Sequence, residues 1–257
     1  AVLVALHGGD GENGAVQSVL EMLGTPFVGS GSSGCRLAWD KPMTKAQLAR
    51  AGLSTPDWVV LPHATFRELG ARAVLDAMIN RLGLPMMIKP DQGGSALGAR
   101  LVQDAADLPA AMVDCLAYGT GVLAERYISG VEVAVSVVAD PTPRALPVVE
   151  VDAKGGVYDF AARYTQGAAS FPCPARIADE VRVAAEQAAL RVHELLGLRD
   201  LSRTDAIVAP DGTVQVLEVN TCPGLTETSL LPTAMAAAGE HLGQLFSTMI
   251  DGALARS

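Results

Sequence analysis

The residues of this 257-residue chain best suited by type and spacing to do chemistry lie between Leu201 and Ser229, in LSRTDAIVAPDGTVQVLEVNTCPGLTETS. Apolar runs at 206–209 and 214–219 flank Pro210-Asp211-Gly212, a combination that favours a hairpin turn. With Asp211-Gly212 central in a symmetric turn, Asp205 stands opposite Glu218 and Arg203 opposite Asn220, and period-two alternation puts all four on one face. Opposed carboxylates about 5 Å apart repel by roughly 3 kcal/mol at an effective dielectric of about 20. A hard divalent cation such as Mg²⁺, taking oxygen from Asp205, Glu218 and the Asn220 amide, would relieve that repulsion and could also hold nucleotide phosphates. An odd number of turn residues would instead shift the register by one and send the two acids to opposite faces.

Two further stretches suit phosphate. Residues 84–90 read as an apolar strand carrying Lys89 near its end, followed by the glycine-rich Asp91-Gln92-Gly93-Gly94-Ser95-Ala96-Leu97-Gly98. Such loops let backbone N–H groups approach phosphate closely. This is not a Walker A loop, because Gly-Lys-Ser/Thr is absent and 99–102 reads as a strand. It is either a flap over phosphates or an ordinary long hairpin. After the second hairpin strand, the polar, turn-rich residues 220–226 lead towards a helix near Leu230, leaving backbone N–H groups free to face a ligand.

The elements that must position these groups follow from periodicity. Residues 1–6 read as an interior strand with no initiator Met, so the chain is expected to begin inside a domain whose N-terminal portion lies upstream or has been lost. The loop His7-Gly8-Gly9-Asp10-Gly11-Glu12-Asn13-Gly14 follows at the strand edge where ligands bind in open α/β sheets. Helices are expected with a face at Val16, Val19, Leu20 and Leu23, from Asp40-Lys41 towards Ala51, over 66–82, over 105–116, and with a face at Val181, Ala184, Ala185, Ala188, Val192 and Leu195. Strands are expected over 57–61, 121–128 and 145–152, with a half-buried one over 132–138 after a hinge-like break at Ser129-Gly130. Residues 157–174 are poorly periodic, as lids commonly are.

Composition narrows the classes. A hydrophobic fraction of 49% with 18% charged residues describes a compact globular chain, and a formal charge of −9 without Lys/Arg clusters argues against a nucleic-acid partner. No apolar run approaches the roughly 20 residues that cross a bilayer. The four cysteines, Cys35, Cys115, Cys173 and Cys222, have neither zinc nor disulfide spacing, so a reducing cytoplasmic setting is expected.

Arg203-x-Asp205 followed by Glu218-x-Asn220-Thr221-x-Pro223-Gly224-x-Thr226 resembles the C-terminal signature of D-alanine–D-alanine ligases, within the ATP-grasp superfamily. HGGDGENG is similar to their His-Gly loop, with Asn13 where an acid often stands. The likeness runs through nearly the whole chain in order. It implies an α/β (α+β) ATP-grasp fold with a partial N-terminal α/β substrate domain: a remnant at 1–38, a central subdomain at 39–128 with the phosphate loop, and a C-terminal subdomain at 129–257 with the Mg²⁺ site and mobile lid. It implies ATP and Mg²⁺ (or Mn²⁺) as cofactors, D-alanine as substrate, a homodimer, and a role in peptidoglycan synthesis.

By the same resemblance, Lys41, Lys89 and the Ser95 loop contact phosphates, Glu125 and Tyr127 border adenine, and Glu132 meets the ribose hydroxyls. Arg203 and the Gly224 N–H stabilise the oxyanion, His7 lies near the first substrate, and Ser229 seats the second substrate's carboxylate at a helix N-terminus. The lid's Lys-Tyr pair is here Arg163-Tyr164, which changes the geometry of phosphate binding. Tyr164 favours an amine acceptor over D-lactate, and D-serine is a further alternative. The ligases carry an N-terminal Gly-rich turn and a Glu, linked to the Ser95 and Tyr164 positions, with no counterpart here, which keeps open a non-catalytic Mg-ATP-binding module. Cys222 is not expected to be a nucleophile, since acyl phosphate chemistry needs no thiol.

Overall fold

The computed structural model describes residues 1–94, 96–139, 141–153, 165 and 167–256. Strand β1 (Val2–Leu3) pairs in parallel with β2 (Phe27–Val28). The strand expected over 1–6 is shorter because the following backbone turns to the loop beside it. The Val4 carbonyl accepts the Cys222 thiol at 3.0 Å, and Gly11 packs so closely on Leu6 that an added Cβ would lie 1.9 Å from the Leu6 carbonyl oxygen.

Four strands, β3 (Trp58–Pro62), β4 (Met86–Pro90), β5 (Arg100–Val102) and β6 (Gly121–Arg126), form an antiparallel sheet in the order β3-β6-β4-β5. One face is dry: Met86, Ile88, Val102, Val122 and Ala124 pack under the helices Ala71–Leu82 and Leu108–Leu116. Alternation along β4 then turns Met87 and Lys89 to the other face. The β4–β5 pairing, Met86 with Val102 and Ile88 with Arg100, makes the glycine-rich stretch the connection of a hairpin. The single helix expected over 66–82 is two, His63–Leu69 and Ala71–Leu82, because Gly70 takes φ 80 and leaves the helical path.

The larger sheet holds β7 (Val131–Ala139), β8 (Pro143–Ala145), β9 (Val149–Ala153), β10 (Ala169–Ser170), β11 (Leu201–Val208) and β12 (Val214–Asn220), in the order β10-β9-β7-β11-β12 with β8 also on β7. The strand expected over 145–152 divides around Pro147, which has no N–H for a ladder. The expectation that β7 is half-buried is corrected. Val133, Val135 and Val137 pack under the helix Asp179–Leu195, while Ala134 and Val138 pack under Leu230–Ala237 and Leu242–Ala255 on the other face. Among the described residues, no helix is long and apolar enough to cross a membrane.

One joint ties these layers together. Leu48, on the helix Lys41–Arg50, shares a core with Ala38, Leu53, Val192, Val216 and Val219, so this helix rests against β12 and the helix Asp179–Leu195. Asp40 caps it, accepting from the Met43 N–H at 2.9 Å. Just before β7, Gly130 lies so close to β11 of the same sheet that a Cβ would sit 2.1 Å from the Val208 carbonyl oxygen.

Candidate active site

A cation between Asp205 and Glu218 requires the β11–β12 register to set them opposite each other. Arg203 pairs with Asn220 and Asp205 with Glu218, yet nearer the turn Ala206 pairs with Val216, Ile207 with Gln215 and Val208 with Val214. The turn is the odd one: Ala209 N–H donates to the Thr213 carbonyl at 2.9 Å across Pro210-Asp211-Gly212. A β-bulge at Leu217 then restores the opposition of the two acids. Val216 and Val219 are buried in the core, whereas Leu217 and Glu218 both line a cleft of about 730 Å³ between the two larger sheets.

At this cleft the Asp205 carboxylate takes two bonds from Arg203, Nε to Oδ1 at 2.7 Å and Nη2 to Oδ2 at 2.8 Å. Asn220 Nδ2 donates to the same Oδ2 at 3.0 Å. Arg203 is buried (4% exposed). That burial works against its charge, but Asp205, with Glu218 and Glu12 further off, outweighs it and raises the guanidinium pKa. Opposite, Glu218 Oε2 lies 3.5 Å from Lys41 Nζ, which also donates to the Gly93 carbonyl at 2.5 Å. Lys41 thus reaches from its helix to both the glycine-rich loop and the hairpin acid.

Among the described residues no three His, Cys, Asp or Glu side chains converge as a metal cluster. A cation here depends on two carboxylates, an amide and ligand oxygens, the donor set typical of Mg²⁺ on a nucleotide. Asp205 and Glu218 fit that set. Asn220 presents its amide nitrogen to Asp205, so its oxygen would ligate from the other side of the amide or after the amide turns over.

On the opposite wall, Glu125 is 2% exposed and sits between two ammonium groups, Lys45 at 2.5 Å from Oε1 and Lys89 on Oε2. Desolvation opposes its charge, yet Lys89 and Lys45 hold its pKa below the ordinary range; the same pairing raises Lys89 despite burial. Lys89, Glu125, Tyr127 and Glu132 all line the cleft, with Met87 and Leu217 as apolar walls.

Among the described residues, His7, Gly224 and Ser229 are not part of the cleft lining. His7 Nδ1 is 3.0 Å from the Cys222 carbonyl and 3.3 Å from Glu12 Oε2. Glu12, buried, accepts from Gly8 N–H at 2.8 Å and Cys222 N–H at 2.9 Å, joining the His7–Gly14 loop to the loop after β12. Glu12, Lys41, Glu218 and Asn220 border one small void. Ser229 is the N-cap residue of the helix Leu230–Ala237, with its hydroxyl 2.8 Å from that of Thr226, and a Cβ on Gly224 would fall 2.7 Å from Ser229 Oγ. Burial, with Glu12 nearby, pushes the Cys222 thiol up to about 12, consistent with no nucleophilic role. Ser95, Arg163 and Tyr164 lie outside the described residues.

The family described as D-ala D-ala ligase C-terminus matches residues 47–251. A D-alanine–D-alanine ligase of Moorella thermoacetica is 39% identical over 253 residues, spanning 98% of this chain and 82% of that one. The chain belongs to the D-alanine–D-alanine ligase family. Two solved ligases share its fold. The D-alanine–D-alanine ligase of Bacillus anthracis complexed with ATP superposes with TM-score 0.80 at 30% identity, over 98% of this chain and 78% of that one. The VanG D-Ala:D-Ser ligase of Enterococcus faecalis gives 0.83 at 30%, over 98% and 71%. The ATP-grasp architecture expected from the sequence is therefore found.

Within this ligase family member, sequence reasoning missed Lys45, Glu12 and the apolar walls Met87 and Leu217. Lys45 lies four residues after Lys41 on one helix face, a spacing that could have flagged it. Met87 precedes Lys89 by two on β4, so alternation could have placed it in the cleft.

Proposed function

We propose that this chain is an ATP- and Mg²⁺-dependent ligase that joins two D-alanines to give D-alanyl-D-alanine for peptidoglycan. The observation that carries this reading is the opposition of Asp205 and Glu218 at a cleft whose other wall holds Lys89, with Lys41 reaching both Glu218 and Gly93. The reading takes 1–38, 39–128 and 129–257 as the working units, supported by the two larger sheets lying on either side of Gly130.

A bound Mg²⁺ would neutralise charge on the β- and γ-phosphates, held by Asp205, Glu218 and Asn220. Lys41 and Lys89 bind phosphate oxygens, and Met87 and Leu217 enclose the base with Glu125 and Tyr127 at its edge. Glu132 takes the ribose hydroxyls. The carboxylate of the first D-alanine attacks the γ-phosphorus, the bond to the ADP oxygen breaks, and an acyl phosphate results. The amine of the second D-alanine then attacks the acyl carbon, and inorganic phosphate leaves as the amide forms. Arg203 and the Gly224 N–H stabilise the oxyanion between these events. His7 orients the first D-alanine, and Ser229 with the helix N-terminus receives the second carboxylate. By the family resemblance, Ser95, Arg163 and Tyr164, which lie outside the described residues, would contact the phosphates and the first substrate. The working enzyme is a cytoplasmic homodimer with no nucleic-acid or membrane partner.

The acceptor is D-alanine rather than D-lactate, with Tyr164 as the residue favouring an amine; the likeness to a D-Ala:D-Ser ligase makes D-serine the competing acceptor. The deciding experiment is ADP release with Mg-ATP and D-alanine alone, with added D-serine or D-lactate, with L-alanine, and without amino acid. Release that requires D-alanine, with the dipeptide as main product, is expected. ATP binding with no D-alanine-dependent release would point to the nucleotide-binding module instead.

A further inference from the structure

Lys45 has no role in the reaction described above, yet its side chain is completely buried. Its ammonium lies 2.5 Å from Glu125 Oε1, 2.5 Å from Thr55 Oγ1 and 5.4 Å from the centre of the Trp58 ring. A buried ammonium is costly unless every donor is met, and two oxygens with an aromatic face meet that demand here. It is not among the residues that line the cleft.

Both partners of Lys45 lead to the cleft. Glu125 divides its oxygens, Oε1 to Lys45 and Oε2 to Lys89, and it is Lys89 that faces the cleft. Were Lys45 absent, both oxygens would fall to Lys89 and draw its ammonium back from the open space. Thr55 in turn donates its hydroxyl to the Val216 carbonyl at 2.7 Å, and Val216 N–H donates to the Ser54 carbonyl at 2.9 Å. Val216 is the residue just before the bulge that sends Leu217 and Glu218 into the cleft together.

We propose that Lys45 is a positioning residue for the nucleotide site: through Glu125 it holds the Lys89 ammonium towards the cleft, and through Thr55 it anchors the bulge that presents Leu217 and Glu218. This rests on the Mg-ATP reading of the cleft. Lys41 and Lys45, one helical turn apart, thereby brace both sides of that site from a single helix.

The test compares Lys45→Met, Lys45→Arg and Thr55→Val with the unaltered chain, measuring kcat, KM for ATP, KM for D-alanine and thermal unfolding. Lys45→Met is expected to raise KM for ATP about tenfold or more while KM for D-alanine moves less than about threefold, the split of a displaced nucleotide contact. Lys45→Arg keeps the cation and is expected to recover most of the loss. Thr55→Val is expected to raise KM for ATP about threefold or more. A folded Lys45→Met with unchanged KM for ATP, a parallel rise for both substrates, or an arginine variant no better than methionine would overturn the proposal. Should Lys45→Met fail to fold, Thr55→Val decides: an unchanged KM for ATP overturns it and a selective rise supports it. If the unaltered chain shows no ATP-dependent turnover, the reading of the cleft itself fails; if it does and the variants match it, only the role of Lys45 fails.

Discussion

Asp205 stands directly across the hairpin from Glu218 even though Ala206, its neighbour, pairs with Val216 and so is one residue out of step. The bulge at Leu217 absorbs the difference. It also breaks alternation where the cleft needs two adjacent side chains, an apolar wall and a carboxylate, on the same side.

Removing the Glu218 charge tests the cation site. Glu218→Gln is expected to cut Mg²⁺-dependent ADP release by about a hundredfold or more, the scale for losing a charged contact in a phosphoryl-transfer site. The unfolding temperature should stay close to that of the unaltered chain, because the Glu218 side chain is partly exposed at 19% and its ion pair with Lys41 spans 3.5 Å. Activity that survives at full strength would remove Glu218 from the ligand set.

Leu217 offers an independent probe of the apolar wall. Leu217→Ala removes apolar surface worth about 1–2 kcal/mol when covered by a ligand, so KM for ATP should rise about 5- to 30-fold with little change in kcat. Nucleotide affinity that is indifferent to Leu217 would show that the base lies elsewhere.

The Lys45 ammonium gives the site an alkaline limit. Burial lowers its pKa to about 8 against the pull of Glu125, with Lys89 opposing its charge and Asp57 favouring it. Below that pH Lys45 is charged and shares Glu125 with Lys89; above it the proton leaves and Glu125 passes wholly to Lys89. The value of kcat/KM for ATP, which reports the free enzyme, should therefore decline above about pH 8. In Lys45→Arg the guanidinium stays protonated to beyond about pH 12, so this limb should move upward. An identical limb in both proteins would assign it to another group.

Cys222 serves as a control for the chemistry. Its thiol is buried, pushed up to about 12, and donates to the Val4 carbonyl at 3.0 Å. Cys222→Ala should keep kcat within about threefold and lose about 1 kcal/mol of stability in chemical denaturation, the usual scale for one buried hydrogen bond. A loss of many orders in kcat would reinstate the thiol as a reacting group.

Much of this was legible in the sequence because it depends on local pattern. Asp40-Lys41 opening a helix, the apolar strand that carries Lys89 near its end, and the opposition of Asp205 to Glu218 all follow from short-range rules. The last was reached through a turn of the wrong length, since a bulge is an extra residue with no compositional mark and only the ladder on both sides reveals it. Lys45 and Glu12 escaped for a different reason. An isolated lysine or glutamate reads as a solvated group, and only the tertiary partners, Glu125 with Thr55 for one and the Gly8 and Cys222 N–H groups for the other, explain their burial. The second buried face of β7 was likewise hidden, because Ala134 between two valines looks like a surface residue until helices cover it.

Gly130 carries a last consequence. Ser129-Gly130 reads in sequence as a place where the chain could swing, but the peptide there is pressed against Val208 with no room for even a methyl group. The contact fixes Gly130 to β11, the neighbour of β7 in the same sheet. A library randomised at position 130 should return glycine almost alone, because any larger side chain would push β11 away from β7 where Val131 pairs with Val208.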